Sequence, residues 1–131
     1  MKILQPPGWR RPKGYSNGIA ADGRLVVTGG LIGWDANEEI VSDDFVEQFR
    51  QVLRNITAVL AEAGARPEHL VRLTWYVTDK QEYLARAADV GAAYRDILGR
   101  VYPAMAVVQV AALMEDRARI EIEATAVVPR E

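Results

Sequence analysis

Residues 104–113, AMAVVQVAAL, form the segment that most constrains this fold. The run is far shorter than the roughly 18 to 20 apolar residues of a membrane span, and it reads as a strand. Along it Ala104, Ala106, Val108 and Val110 point to one side, and Met105, Val107, Gln109 and Ala111 to the other. Both sides are mostly apolar, and a strand of that kind is normally buried on both. The chain must therefore supply a layer against one face and find a cover for the second.

The rest of the sequence supplies one layer. Two apolar segments flank Asp22-Gly23 and predict a hairpin, with Gly29 and Gly30 ending or bulging its second strand where a missing Cβ admits another backbone or a ligand. Residues 31–34 are expected to form a short third strand. Ser42 is the expected N-cap of a helix whose apolar positions run from Phe45 to Ala63 at helical spacing, with Gly64 as its stop. VRLTWYV at 71–77 reads as a strand. Asp79 with Glu82 resembles a capping box, opening one helix that runs to Gly99. The apolar run at 104–113 and the alternating RIEIEATAVV follow, joined by a turn at Glu115-Asp116 and expected to pair as a last hairpin.

The order β-β-(β)-α-β-α-β-β predicts a two-layer α+β sandwich in one domain, 1–131, preceded by a Pro- and Gly-rich arm, 1–14. Two helices cover one sheet face, so the other is expected to be buried against further copies of the chain. Trp75 and Gln109 are expected to be buried.

The composition narrows the chemistry. With no cysteine, one histidine (His69), two serines (Ser16 and Ser42) and three lysines, the chain has no thiolate, no disulfide and no His-rich metal cluster. Neither serine lies in a G-x-S-x-G elbow, and no phosphate-binding glycine motif is present. A net charge of −2 offers no field for a polyanion, so nucleic acid is not expected as a partner. No secretory or membrane-spanning stretch is read, and a cytoplasmic protein is expected.

The segments PKGYSNG, LVVTGG, FRQVLRNITAVLAEAG, LVRLTWYVTD, AAYRDIL, YPAMAVVQV and IEIEATAVV resemble the Rid family, also called YjgF or L-PSP proteins, over most of the chain. The resemblance implies a chorismate-mutase-like α+β fold and a homotrimer with clefts between subunits. It also implies, in the RidA branch, hydrolysis of enamines and imines such as 2-aminoacrylate without metal or cofactor. Such substrates hydrolyse unaided, so orientation, a water and one or two proton transfers suffice. The branch's cleft tyrosine matches Tyr15 and its glutamate matches Glu121, but its arginine is replaced by Met105. A thioether cannot pair with a carboxylate, so hydrolysis of 2-aminoacrylate is not expected here and a more apolar or uncharged ligand is.

Glu121 and Tyr15 are thus the candidate catalytic residues. Gly30, Met105, Ala106, Trp34 and Arg11 are the candidates for lining the cleft. Each has a plainer reading: Glu121 and Glu123 as a solvated edge beside Arg119, Tyr15, Trp9, Trp34 and Met105 as packing, Gly30 as backbone geometry, and Arg10, Arg11 and Lys13 as basic surface. One of those three cations could instead replace the missing arginine. His69 reads as a turn residue. Three functions follow: an enamine or imine deaminase acting on a small molecule other than 2-aminoacrylate, a non-catalytic trimeric binder of a small metabolite, and an endoribonuclease, the last weakened by the charge.

Overall fold

In the computed structural model, which describes residues 1–130, the main sheet is built from β3 (Arg24–Val27), β4 (Leu31–Ile32), β5 (Leu70–Val77), β6 (Ala104–Gln109) and β7 (Ile120–Val128). Its order is β3-β7-β5-β6, with β4 also paired to β7. β1 (Lys2–Ile3) and β2 (Ile19–Ala20) form a separate two-stranded sheet. Helices α1 (Phe45–Glu62), α2 (Lys80–Ala85) and α3 (Ala87–Leu98) complete the set with a short 3₁₀ turn, Pro67–His69. The fold is the expected two-layer α+β sandwich.

The core lies between the helices and one sheet face. Phe49, Val52, Leu53, Ile56 and Leu60 of α1 are fully buried against Leu73 of β5 and Ile120 and Ile122 of β7. Gln48, also fully buried, is satisfied at both ends. Its Nε2 donates to the carbonyls of Ser42 (2.9 Å) and Arg117 (3.0 Å), and its Oε1 accepts from the Arg119 N–H (2.8 Å). A buried amide with all these partners costs nothing in lost hydration and fixes α1 against the start of β7.

Several local expectations change. Asp44, not Ser42, caps α1 by accepting from the Glu47 N–H, while the Ser42 hydroxyl accepts from the Asp44 N–H (3.0 Å). β2 pairs with β1, and β3 pairs with β7, so Asp22-Gly23 joins two sheets and makes no hairpin. The predicted last hairpin is also absent, because β6 runs parallel to β5 as an edge strand while β7 lies on the far side of β5. The helix expected from Asp79 to Gly99 is two helices that meet at Arg86, whose guanidinium pairs with Asp44 and Asp89. Asp79 caps α2 as expected, but Glu82 turns to Arg119 (3.0 Å). Gln109 is exposed, and its Oε1 accepts from the Lys80 N–H (2.7 Å) at the start of α2. Gly64, at φ 70°, ends α1 as expected.

No element among the described residues covers the second sheet face. Registered pairs place Leu25 and Val27 of β3, Glu121 and Glu123 of β7, Thr74 and Tyr76 of β5, and Ala106 and Val108 of β6 on it. Leu25 is 66%, Val27 62% and Val108 44% exposed.

Candidate functional site

Two separate clusters gather the residues with chemical potential. The first lies where β3 gives way to β4. Thr28 closes on Ala124 through both its backbone N–H (2.9 Å) and its hydroxyl, which accepts from the Ala124 N–H (3.0 Å). The chain then bulges through Gly29-Gly30 before Leu31 rejoins β7 opposite Ile122. The Glu121 carboxylate lies against Gly30, in space that a Cβ at that position would occupy. A side chain at position 30 would displace that carboxylate.

Around that carboxylate the open face is polar. Tyr76 lies opposite Glu121 on the neighbouring strand, and its hydroxyl donates to Glu123 Oε1 (2.9 Å). This bond to a carboxylate, with the negative charge of Glu123 and Glu121, holds the phenol above its ordinary value of 10.0. Glu123 is thereby engaged, while no hydrogen bond or ion pair ties down the Glu121 carboxylate among the described residues. Arg119, expected beside these two glutamates, is drawn away to Glu82.

The second cluster is a cavity of about 480 Å³ under the free edge of the sheet, between β6 and helices α2 and α3. Met105 and Val107 of β6 form its floor with Trp75, and Tyr83 and Tyr94 of the helices stand over it. These rings pack together, with centroids 6.2 Å (Trp75–Tyr83) and 6.3 Å (Trp75–Tyr94) apart. Burial raises the phenols of Tyr83 and Tyr94. The Trp75 Nε1 is buried with no hydrogen-bond partner among the described residues.

The N-terminal arm forms one wall of this cavity. Ser16 bridges to Ala104 in parallel, its N–H donating to the Pro103 carbonyl (3.0 Å) and its hydroxyl to the Tyr102 carbonyl (2.5 Å). Tethered so, the arm brings Tyr15 and Lys13 to the mouth, where Tyr102 and Arg95 also stand. The cavity lining contains no carboxylate.

The candidate residues are thus divided. Glu121 and Gly30 meet on the open face, and Tyr15 and Met105 meet in the cavity on the helix side. Ala106 is on the open face opposite Thr74. Arg11 borders a smaller groove of about 380 Å³ shared with Tyr15, Ser16 and Tyr102. Trp34 lies apart from both, bridged to Ile40, its carbonyl accepting from Asn55 Nδ2 (2.9 Å). His69 is the turn residue expected, its Nδ1 accepting from the Arg66 N–H (2.9 Å). Sequence reasoning missed Arg95, Tyr83 and Tyr94. The available signal was Gly91 four residues before Arg95, which marks an open spot on a helix face.

Comparison with known proteins agrees with the segments that carried the resemblance. A family model described as endoribonuclease L-PSP matches residues 10–128. A RutC family protein of Synechocystis sp. is 35% identical over 131 residues, covering 98% of each chain. The 2-iminobutanoate/2-iminopropanoate deaminase of Salmonella typhimurium is 35% identical over 108 residues, covering 80% of each. Among solved structures, a Rid family protein of unknown function from Yersinia pestis superposes with a TM-score of 0.85 at 33% identity, covering 97% of this chain and 98% of that one.

Proposed function

Because this chain belongs to the Rid (YjgF/L-PSP) family, we propose that it is an imine or enamine hydrolase, a deaminase whose substrate is bulkier than 2-aminoacrylate and whose site is assembled between copies of the chain. The observation that carries this reading is Glu121. Its carboxylate lies in the space Gly30 leaves, without a hydrogen-bond or ion-pair partner among the described residues, on a sheet face that none of them covers. A carboxylate so placed can accept a proton from water as the water oxygen bonds to the imine carbon, then return it to nitrogen. The carbinolamine formed loses ammonia and leaves a carbonyl.

Subunit assembly accounts for the division of the candidates. Glu121 and the Tyr15–Met105 cavity lie on opposite sides of one sheet, and a second copy docked on the open face would complete the Glu121 half. Exposed Leu25, Val27 and Val108 on that face favour such docking, as does the edge strand β6, which a homotrimer would cover.

The test generates imines enzymatically from a range of amino acids and follows ammonia release with wild type and Glu121→Gln. Wild type is expected to accelerate release and the variant to lose about 10²- to 10³-fold of that. If wild type accelerates no imine, the hydrolase reading is wrong. The alternative is then a non-catalytic binder of a small metabolite, which the aromatic-lined cavity favours because it holds a ligand-sized space without needing Glu121.

A further inference from the structure

The open face carries a phenol, Tyr76, that the proposed chemistry leaves unused. Glu121 and Glu123 stand two residues apart on β7 and share that face, about 7 Å between Cα atoms at the rise of a strand. Like charges that close resist ionising together, and two free carboxylates can share one proton, so that one of the pair stays neutral above the ordinary carboxylate range. A base that takes a proton from water is useless while it is itself protonated. Glu121 can serve only if Glu123 is kept from it.

The two carboxylates are drawn to opposite sides of β7. The Glu121 carboxylate lies against Gly30, on the side where β3 and β4 pair. Glu123 is held from the other side, where Tyr76 of β5 stands opposite Glu121 and reaches diagonally to donate to Glu123 Oε1 (2.9 Å). The bond to Glu123 first, then desolvation and the charges of Glu123 and Glu121, hold the phenol above 10.0, so it keeps its proton to donate throughout the range in which carboxylates titrate. The remaining neighbours do not supply this contact. Thr74, opposite Glu123, and Ala106 and Val108 of β6 carry no charge. Arg72 borders a groove of about 250 Å³ with Thr28, Thr74 and Glu123 but makes no ion pair among the described residues, and Arg119 is held by Glu82.

We propose that Tyr76 is a positioning residue: by holding Glu123 from the β5 side it keeps the two carboxylates from sharing a proton and leaves Glu121 the free base. Its part in turnover rests on the hydrolase reading given above, whereas its hold on the carboxylates does not.

Tyr76→Phe removes the hydroxyl and keeps the ring. Carbon-13 NMR of the glutamate carboxyls is expected to show Glu121 and Glu123 titrating separately in wild type. In the variant Glu123 has lost its donor, and the two should titrate as a pair whose last proton leaves about one pH unit higher, the order of one charge-assisted hydrogen bond. The acid limb of kcat/KM for imine hydrolysis should move up by the same interval, a loss of about tenfold on the limb that shrinks as pH rises. Glu123→Gln leaves no second carboxyl to share with, so its limb should lie at or below that of wild type, and adding Tyr76→Phe to it should shift nothing further. Shared titration already in wild type, or unmoved titrations in a Tyr76→Phe variant that melts like wild type, would overturn the role of Tyr76. So would a loss of equal size at every pH, which marks packing alone, or a limb shift that survives in the Glu123→Gln background. Titrations that move as expected, with no imine turned over by wild type, would instead defeat the hydrolase reading and leave the hold on the carboxylates in place.

Discussion

At Gly30 the space of a side chain is filled by the Glu121 carboxylate, and that is where residue chemistry is most exposed to change. Alanine there would push the Glu121 carboxylate out of its position, since the new methyl and the carboxylate would share one space. A misplacement of about 1 Å can cost on the order of 10²-fold in rate. Gly30→Ala is therefore expected to lower imine turnover by about that factor while the thermal melt stays close to that of wild type; steady-state kinetics beside a melt would show the split. How far such detail was legible differs from residue to residue. Glu121 stands in a strand whose period-two alternation gives its face away. Arg95 was invisible, because an arginine in the last turn of a helix already has an ordinary explanation in the helix dipole. Only the packing of α3 beside β6 shows that it borders a cavity. Gln109 misled for a related reason: its strand reads as buried on both faces, yet β6 is an edge and its end meets the backbone of α2.

Among the elements, the joint between α2 and α3 is held from outside. Arg86 reaches both Asp89 and Asp44, so the N-cap of α1 is also the anchor of the joint (2.9 Å to each). The hydrogen bond from Arg86, with a further one from the Glu47 N–H, holds the Asp44 carboxyl below its ordinary value of 3.8. A carboxyl lowered by folding stabilises the native state above its unfolded value, and that contribution drains away as pH falls through the lower folded one. Asp44→Asn keeps a capping side chain and removes the charge. Wild type is expected to exceed this variant in stability by up to about 1 kcal/mol near neutrality, the pair being partly exposed, with the gap closing below pH 4. Urea melts at pH 7 and pH 3 would check it. Element identity was readable wherever one segment's own periodicity decides it, as in α1. Strand partners were not, because turn residues such as Asp22-Gly23 fix a change of direction and say nothing about which distant strand lies alongside. The break at Arg86 likewise depends on Asp44, 42 residues earlier.

For the whole molecule, the uncovered sheet face is the decisive surface. Val27 and Leu25 stand on it more than three-fifths exposed, with Val108 beyond them. A charge placed among them would not disturb the core, which lies on the other side of the sheet. If the proposed homotrimer forms on this face, Val27→Asp is expected to leave each chain folded, by circular dichroism, while reducing the particle, by light scattering, from three times 14.5 kDa to one. Imine turnover should fall with it, although no candidate site residue has been altered. A wild type that already scatters as a monomer would defeat the assembly. The tether at Ser16 carries one more consequence, concerning time. It joins the arm to Tyr102 across 86 residues, and β3 similarly waits for β7. During synthesis Tyr15 leaves the ribosome early yet has no place to settle until β6 has emerged, and Gly30 has no carboxylate beside it until residue 121 is made. A nascent or truncated chain thus lacks both candidate clusters, which come together only close to the end of translation.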